Sequence, residues 1–317
     1  MELRQEAVRL RLGKTDFSWT VEYDGRDAGT IDLTPTGGLG GDLRFNLLPA
    51  AGVQALRLVT AFAFERLGWE ILVWRSPAGR WDAMRTAWEA GFGQFTYVDG
   101  GTAYEGVRCE EWLATRRSKD PAEPRTPWWQ IPVIETERFR MRPHGPSDLE
   151  RIVEAASDER TQYWAPHFAS PFTRADGETY LDARLWMSAT GTAISWAIAD
   201  PDTDVLLANL SVLHLEGDDS GEIGFWAHPE ARGRGLMTEA VGLAIRHAFT
   251  PVAEGGLGRY RLVLATARGN TASRHVAEAN GFVAAGIERE AEVMRDGTRQ
   301  DMVWFDLLRS ESPFPSP

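Results

Sequence analysis

The apolar and polar positions of the chain follow two periods, one typical of strands and one typical of helices. Residues 7–12 alternate between apolar and basic side chains, which predicts a strand with one buried face. From Met237 onwards, apolar side chains recur every three or four residues, which predicts a helix. Asp24-Gly25 separates two strand-like runs and favours a hairpin turn. The chain is therefore expected to be α/β.

The same reasoning along the whole chain predicts two series of elements. In the first series the strands are 7–12, 17–23, 28–33, 43–48, 71–74, 95–98 and 110–115, and the helices are 53–67 and 80–90. In the second series, helices at 148–156 and 177–187 flank an aromatic-rich loop at 161–168. Strands at 193–198, 205–213 and 222–227 follow, then a helix from 237, a strand at 261–267 and a last helix ending before Gly281.

The two series resemble each other in sequence, which predicts an internal repeat. Phe17-Ser18-Trp19 matches Ile194-Ser195-Trp196, and residues 72–92 align without a gap on residues 262–282. Trp112 is matched with Trp304. The first copy is shorter, with two helices missing after its first strand. We expect a first domain at 1–118, a proline-rich linker at 119–131, a second domain at 132–310 and a flexible tail at 311–317.

A glycine-rich turn lies between the strand at 222–227 and the helix that follows. Pro229 ends the strand, and Arg232-Gly233-Arg234-Gly235 leads into the helix. Glycines let the backbone approach a ligand, and the start of a helix presents unpaired N–H groups at the positive end of its dipole. The turn therefore predicts a phosphate cradle. It fits neither the G-x-G-x-x-G nor the G-x-x-x-x-G-K-[ST] pattern.

The turn resembles the pyrophosphate loop of the GNAT acetyltransferases, R/Q-x-x-G-x-G/A, with Arg232 and Gly235 in the first and fourth positions. Met237 departs from the pattern at the sixth position. Downstream, Asn270 and Ser273 open a helix, as in the second half of the family's pattern. The stretch from Ile134 to Asp148 is similar to the opening of the RimJ/RimL type of ribosomal-protein acetyltransferase. The resemblance covers about residues 132–310.

The resemblance implies an α/β (α+β) fold of two tandem GNAT-like acyl-CoA N-acyltransferase domains. Each would have a mixed, mostly antiparallel sheet that is splayed at its centre and flanked by helices. It also implies acetyl-CoA as cofactor, with pantetheine along the strand, a carbonyl contact near the N–H of Ala227, and pyrophosphate on residues 233–238. The implied cofactor contacts are Phe225, Trp226, Ala227, Arg232, Gly233, Arg234, Gly235, Leu236, Met237, Thr238, Asn270 and Ser273.

The resemblance leaves the catalytic base open. Glu292 resembles the carboxylate of the RimJ/RimL type, and Glu222 on the central strand is its rival. Other N-terminal acetyltransferases carry a glutamate and a tyrosine where this chain has Ala265 and Ala277. Ser273 would lie near the sulfur and help the thiolate to leave. These three residues, Ser273, Glu292 and Glu222, are the catalytic candidates.

Aromatic residues in and after the loop at 161–168 are the candidates for the acceptor pocket. In the family this region lies over the acceptor site, which makes Tyr163, Trp164 and His167 candidates, together with Trp186 on the next helix. The alternative is that these rings cover the core beneath a loop.

The first copy has lost the residues of the cradle. Leu47-Leu48-Pro49-Ala50 stands at the glycine-rich turn, and Arg80 and Ala83 stand at Asn270 and Ser273. We therefore expect a degenerate, structural first domain that binds no acetyl-CoA. It would fill the place that a second subunit takes in dimeric relatives. The protein is then expected to be a monomer, with a homodimer as the alternative.

Composition narrows the function further. The chain has 317 residues and a net charge of −12, which argues against nucleic-acid binding and fits an amine-bearing substrate. No long apolar run predicts a membrane span or a signal peptide, so we expect a cytoplasmic protein. A single cysteine, Cys109, excludes an intrachain disulfide, and the six histidines suggest no metal site.

These features predict an acetyl-CoA-dependent N-acetyltransferase acting on a primary amine, either a protein N-terminus or a small-molecule amine. Alternatives are a non-catalytic acyl-CoA-binding or regulatory module, and a small-amine acetyltransferase for an antibiotic or polyamine. The paired layout is also similar to that of mycothiol synthase.

Overall fold

The structure is a computed structural model that describes residues 2–5, 7–13, 17–104, 107–217 and 219–314. The chain divides into two compact units, Met1–Pro127 and Trp128–Pro317. None of the helices in the described ranges combines the length and the apolar character that crossing a bilayer requires.

The described residues of unit 1 form one eight-stranded sheet with two α-helices. Its strands are β1 (Glu2–Gln5), β2 (Val8–Leu12), β3 (Ser18–Tyr23), β4 (Arg26–Pro35), β5 (Gly40–Leu47), β6 (Ile71–Pro77), β7 (Gly93–Tyr104) and β8 (Val107–Arg117). Its helices are α1 (Pro49–Glu65) and α2 (Trp81–Glu89). The strand order is β1-β2-β3-β4-β5-β6-β8-β7. The β5–β6 pair is parallel and the other pairs are antiparallel.

Unit 2 is a second eight-stranded sheet with five α-helices in its described part. Its strands are β9 (Ile134–Glu135), β10 (Arg140–Arg142), β11 (Ile194–Ala199), β12 (Leu206–Leu213), β13 (Ser220–Ala227), β14 (Arg261–Ala267), β15 (Val283–Val293) and β16 (Arg299–Leu308). Its helices are α3 (Leu149–Ser157), α4 (Glu159–Trp164), α5 (Arg174–Thr190), α6 (Leu236–Phe249) and α7 (Thr271–Ala279). The strand order is β9-β10-β11-β12-β13-β14-β16-β15, with β13–β14 parallel.

The two sheets have the same strand order and the same position of the parallel pair. β14 begins 190 residues after β6, and α7 likewise begins 190 residues after α2. The predicted fold class, two mostly antiparallel sheets flanked by helices, is confirmed. Three α-helices lie between β10 and β11, where the sequence predicted two, and the corresponding β2–β3 connection of unit 1 has none in its described part.

One part of the predicted alignment is wrong by one residue. Trp112 pairs with Ser76 across the β6–β8 ladder, whereas Trp304 pairs with Ala265 across the β14–β16 ladder. Ser76 corresponds to Thr266, whose partner is Val303. Trp112 and Val303 are both buried, so they, and not the two tryptophans, fill equivalent core positions.

Apolar side chains cover both faces of the unit 2 sheet. On one face α6 contributes its apolar stripe to the main core, in which Trp196 of β11 is fully buried. On the other face a smaller core contains Ile152 of α3, Phe168, Phe172 and Ala197. Trp226 of β13 packs against this second core, while Phe225 packs against the first. Neighbouring residues of β13 therefore point to opposite faces.

Residues 161–168 were predicted to form a loop, and that prediction is wrong for the first half of the segment. Glu159–Trp164 is the helix α4. The side chain of Asp158 caps it, accepting a hydrogen bond from the Thr161 amide at 2.9 Å. Asp158 is the sequence signal for this helix, because aspartate is a preferred N-cap residue. Only the part after Trp164 is irregular.

The segment at 119–131, which the sequence predicts to be a linker, forms hydrogen bonds and an ion pair near its start and near its end. Arg125 pairs with Asp120 at 3.0 Å, and the indole N–H of Trp88 donates to the Thr126 carbonyl at 2.8 Å. The amide and the indole N–H of Trp129 each donate at 2.9 Å, to the carbonyls of Ser188 and Gly191.

The predicted tail at 311–317 is described as far as Phe314, and residues 315–317 lie outside the described residues. The Phe314 ring lies against Gly242 of α6. A Cβ built on that glycine would be 2.9 Å from the ring.

Candidate functional site

The centre of the unit 2 sheet opens where its two parallel strands separate. β13 and β14 pair from Ser220 with Arg261 to Glu222 with Val263, and β13 then continues to Ala227. The sheet is therefore splayed at its centre, as predicted.

The exposed edge of β13 offers backbone groups to this gap. The His228 amide donates to the Leu207 carbonyl at 2.8 Å, which fixes the phase of the ladder between β12 and β13. Because antiparallel hydrogen bonding alternates, the Trp226 amide also faces β12. The amides of Phe225 and Ala227 face the opposite side, towards the gap, where an extended ligand could add to the sheet.

A cavity of about 610 Å³ lies at this gap, between the end of β13, the start of α6 and the start of α7. All twelve predicted cofactor contacts line it: Phe225, Trp226, Ala227, Arg232, Gly233, Arg234, Gly235, Leu236, Met237, Thr238, Asn270 and Ser273. Trp164, a predicted acceptor contact, lines it as well. Sequence reasoning missed the remaining lining residues, which are Arg160, Thr161, Ala165, Ala231, Ala272, His275 and Val276.

The glycine-rich turn has the backbone geometry of an anion cradle. Gly233 and Gly235 have φ of 71° and 70°, in the left-handed region that favours glycine. No atom lies within 4 Å of a Cβ built on either residue, so the backbone conformation, and not lack of space, requires glycine. α6 begins directly after the turn, at Leu236. The amides of its first turn have no partner within the helix and face the cavity at the positive end of its dipole.

Arg232 braces the turn through contacts with the protein itself. Its guanidinium donates to Asp158 Oδ2 at 2.5 Å, to Thr161 Oγ1 at 2.7 Å and to the Ala227 carbonyl at 3.2 Å. Burial alone would raise the pKa of the Asp158 carboxyl, but hydrogen bonds from Arg232 and Thr161 outweigh burial and lower it. The side chain of Arg232 therefore holds α4 against the end of β13.

Three basic side chains stand exposed on the cavity lining: Arg160, Arg234 and His275. Arg160 and Arg234 form no ion pair with any described residue. Their exposed positive charges, next to the cradle, suit a ligand with several phosphates. The sequence did not point to Arg160, because its pattern predicts no helix at residues 159–164.

Asn270 caps α7, and its Oδ1 accepts a hydrogen bond from the Ser273 amide at 3.3 Å. The capping role, which the residue type alone suggests, is therefore observed, and both side chains still line the cavity. Ser273 is half-buried, one turn into the helix.

The four predicted acceptor contacts are not all brought together. Trp164 lies against Gly269, where a built Cβ would be 3.2 Å from its ring, and Tyr163 packs edge-on against Trp164 at 4.8 Å. His167 packs against Phe168 outside the cavity lining, with ring centroids 4.7 Å apart. Trp186 is half-buried on α5 and also lies outside the lining.

Glu292 lies near His167. Burial lowers the pKa of the His167 imidazole, and the negative charge of Glu292 opposes this effect. Positive charges on Arg184 and Arg295 add to the lowering. The structure therefore places one of the candidate bases beside one of the acceptor candidates.

Glu222 occupies the last paired position of β13 before the gap. Burial raises the pKa of its carboxyl, and the nearby His214, whose Nε2 is 3.6 Å from Oε2, opposes the rise. Neither Glu222 nor Glu292 lines the cavity itself. Among the described residues, no group of three or more His, Cys, Asp or Glu side chains is arranged to hold a metal ion.

Comparisons with known proteins agree with this geometry. Residues 138–283 match the family described as "Acetyltransferase (GNAT) domain". A Bacillus subtilis protein named "Putative ribosomal N-acetyltransferase YdaF" is 34% identical over 90 residues, which are 28% of this chain and 46% of that protein. The match thus spans less than half the length of this relative.

Solved structures resemble the chain over somewhat more than half its length. A structure titled as a probable acetyltransferase has 26% identity and a TM-score of 0.51, covering 57% of this chain and 99% of its own. Mycobacterium smegmatis RimJ, solved with a CoA disulfide, has 18% identity and a TM-score of 0.52, covering 60% of this chain and 92% of its own.

Unit 2 therefore contains an acetyltransferase domain of the GNAT family, and the family prediction is confirmed. The relative in Bacillus subtilis is named as a putative ribosomal N-acetyltransferase, and the RimJ structure shares the fold of this domain.

Proposed function

We propose that unit 2 transfers the acetyl group of acetyl-CoA to a primary amine, either a protein N-terminus or a small-molecule amine. One observation carries the proposal: a single cavity joins the exposed edge of β13 to the glycine-rich turn before α6. The edge of β13 can pair with an extended chain that contains amides, and the glycine-rich turn can bind phosphate. Coenzyme A contains both groups, the amides in its pantetheine arm and the phosphates in its diphosphate.

The cofactor would then lie along the cavity with its pantetheine arm at β13 and its diphosphate at the start of α6. Its pantetheine amides would pair with the outward-facing groups of Phe225 and Ala227, and its diphosphate would accept hydrogen bonds from the amides of residues 233–238. Arg160 and Arg234 at the exposed edge would attract the phosphates. The neighbouring RimJ structure, which contains a CoA disulfide, supports this assignment.

The residues around the gap can supply what acetyl transfer requires. Acetyl-CoA supplies a thioester, from which the acetyl group passes to the amine nitrogen as the carbon–sulfur bond breaks. The Ala227 amide would stabilise the negative charge on the carbonyl oxygen. Glu222 or Glu292 would accept the amine proton through water, and the Ser273 hydroxyl would donate a proton to the departing sulfur.

Two measurements on the full chain test the proposal. Calorimetry with acetyl-CoA should show binding, and an acceptor panel of N-terminal peptides, polyamines and aminoglycosides should release free thiol with at least one amine. Binding without thiol release from any acceptor would favour the alternative, a non-catalytic acyl-CoA-binding module. Absence of binding would contradict the proposal as a whole.

A further inference from the structure

Arg184 of α5 is a half-buried cation without an anionic partner in the described part of the chain. Its guanidinium lies 4.4 Å from the ring centroid of Tyr180, and its Nη1 donates to Ser195 Oγ at 3.5 Å. Its Nε is buried and has no hydrogen-bond partner among the described residues. A partly desolvated guanidinium normally pairs with a carboxylate or phosphate, because removal from water is otherwise uncompensated.

A chain of buried polar side chains holds Arg184 in this position. Ser195 Oγ lies 2.6 Å from Ser211 Oγ, which accepts a hydrogen bond from Asn209 at 3.2 Å. Asn209 Oδ1 lies 2.9 Å from His144 Nε2. Ser195, Ser211 and Asn209 are almost completely buried, so the oxygen that contacts Arg184 is fixed. Only one guanidinium donor is used, and the others remain available to a ligand.

Two sets of contacts connect Arg184 with the cavity. The indole N–H of Trp226, which lines the cavity, donates at 3.0 Å to the hydroxyl of the same Tyr180 on which Arg184 stacks. Ser195, Ser211 and Gly224 are cross-strand neighbours on β11, β12 and β13, so this row leads from Arg184 to the edge of the gap. Arg184 is thus separated from the cavity lining by one side chain.

Among the charged groups that act on His167, two are positive and one is negative, although the chain as a whole carries −12. Arg184, Arg295 and Glu292 all act electrostatically on His167. Arg295 also donates to the Phe168 carbonyl, so the β15–β16 turn contacts the segment after α4. Two arginines and one glutamate would repel an acceptor that carried only positive charge. An acceptor with an amine and a nearby anion would complement both signs.

We propose that Arg184 binds a carboxylate that the acetyl acceptor carries close to its amine. This inference rests on the proposed acetyl transfer and names the class of its acceptor. The planar guanidinium can donate two parallel hydrogen bonds to a carboxylate, and the negative charge of Glu292 would attract the protonated amine. A peptide with an acidic residue after its N-terminus and a free amino acid both have this chemistry.

The test compares matched acceptors in a free-thiol assay on the full chain. One pair of peptides differs only in Asp or Asn at the second position, and one pair consists of free amino acids and their amides. A charge-assisted hydrogen bond corresponds to about a ten-fold or larger effect, so kcat/KM should favour the carboxylate member of at least one pair by that factor. The peptide and amino-acid pairs distinguish the two sources of the carboxylate.

Variants test whether Arg184 causes the preference for the acceptor that carries a carboxylate. In Arg184→Gln the preference should disappear while KM for acetyl-CoA stays unchanged, and Arg184→Lys should retain part of it. Arg174→Gln is the matched control, because Arg174 is exposed on the same helix and pairs with Glu150. Should Arg184→Gln unfold, Ser195→Ala removes the anchor instead and should weaken the preference in the same direction.

Equal use of both members of each pair by the wild-type chain would overturn the inference and leave the acetyl transfer intact. Survival of the preference in folded Arg184→Gln would also overturn it. Absence of thiol release from every acceptor would overturn both proposals together.

Discussion

The two units share a strand order and differ in one connection. In unit 2, eight residues from His228 to Gly235 separate β13 from α6, and they include the glycine-rich turn. In unit 1, Leu48 alone separates β5 from α1. The sequence alignment placed residues 47–50 at the turn, but the structure shows that unit 1 has no counterpart of the turn at all. One loop therefore accounts for the presence or absence of the cradle.

The helices next to this connection also differ. Thr86 of α2 corresponds to Val276 of α7, 190 residues later, and it touches α1, since a Cβ built on Gly52 would be 2.5 Å from its methyl group. Val276 instead lines the cavity. Ala83 is buried where Ser273 lines the cavity. In unit 1 the two helices thus meet directly at the position where unit 2 has its cavity.

The carboxylates at equivalent sheet positions are in different electrostatic states. Asp42 pairs with Val73 across the parallel strands, as Glu222 pairs with Val263. Arg75 holds Asp42 at 2.8 Å and the buried Glu111 at 2.9 Å. Among the described residues, Glu222 has no arginine partner in the same role, and burial raises its pKa. In unit 1 the carboxylate at this position is paired with Arg75, whereas the carboxylate of unit 2 could accept a proton. We therefore propose that unit 1 is structural.

The largest expected effect comes from placing a charge in the cradle. Gly233→Asp adds a carboxylate beside the proposed diphosphate and a side chain at positive φ. Like charges in contact cost several kcal/mol, so acetyl-CoA affinity should fall by about 100-fold or more in calorimetry. Ala50→Asp, at the start of α1 in unit 1, is the control and should leave affinity unchanged. Equal losses in both variants would contradict the comparison.

Replacing the candidate bases should give the next largest effect. Because burial raises the pKa of Glu222 and a base acts only when deprotonated, kcat/KM should fall as pH drops through that raised pKa. We expect Glu222→Gln to remove this acid limb and lower kcat/KM by about 100-fold, the lower end of what general base catalysis contributes. Glu292→Gln should have a smaller effect at neutral pH. If Glu222→Gln is silent and Glu292→Gln is crippling, Glu292 is the base.

The smallest expected effect concerns the departing sulfur. Ser273→Ala should lower kcat by about 10-fold with little change in acetyl-CoA affinity, because the hydroxyl acts late in the reaction. Ala83→Ser in unit 1 is the matched reverse change and should add no activity. A large loss of cofactor affinity in Ser273→Ala would show that the hydroxyl binds the cofactor instead.

The sequence could predict the cavity because its residues lie in two short local motifs. The turn at 232–235 and the helix start at Asn270 each have a residue pattern whose backbone geometry follows from glycine and capping preferences. Arg184 and Tyr180 could not be found in this way. Arg184 contacts Ser195, and Tyr180 contacts Trp226. Each of these contacts forms only when the helix packs on the folded sheet. Nor could the sequence show that the guanidinium of Arg232 is occupied by Asp158.

The stoichiometry of acetyl-CoA binding to the full chain tests the central claim most directly. Unit 2 has the cradle and the cavity, while unit 1 lacks the connection that would form a cradle. Isothermal titration calorimetry should therefore show one site per chain, and Gly233→Asp should weaken binding at that site by about 100-fold or more. Two equivalent sites per chain, or one site that survives Gly233→Asp unchanged, would contradict the account.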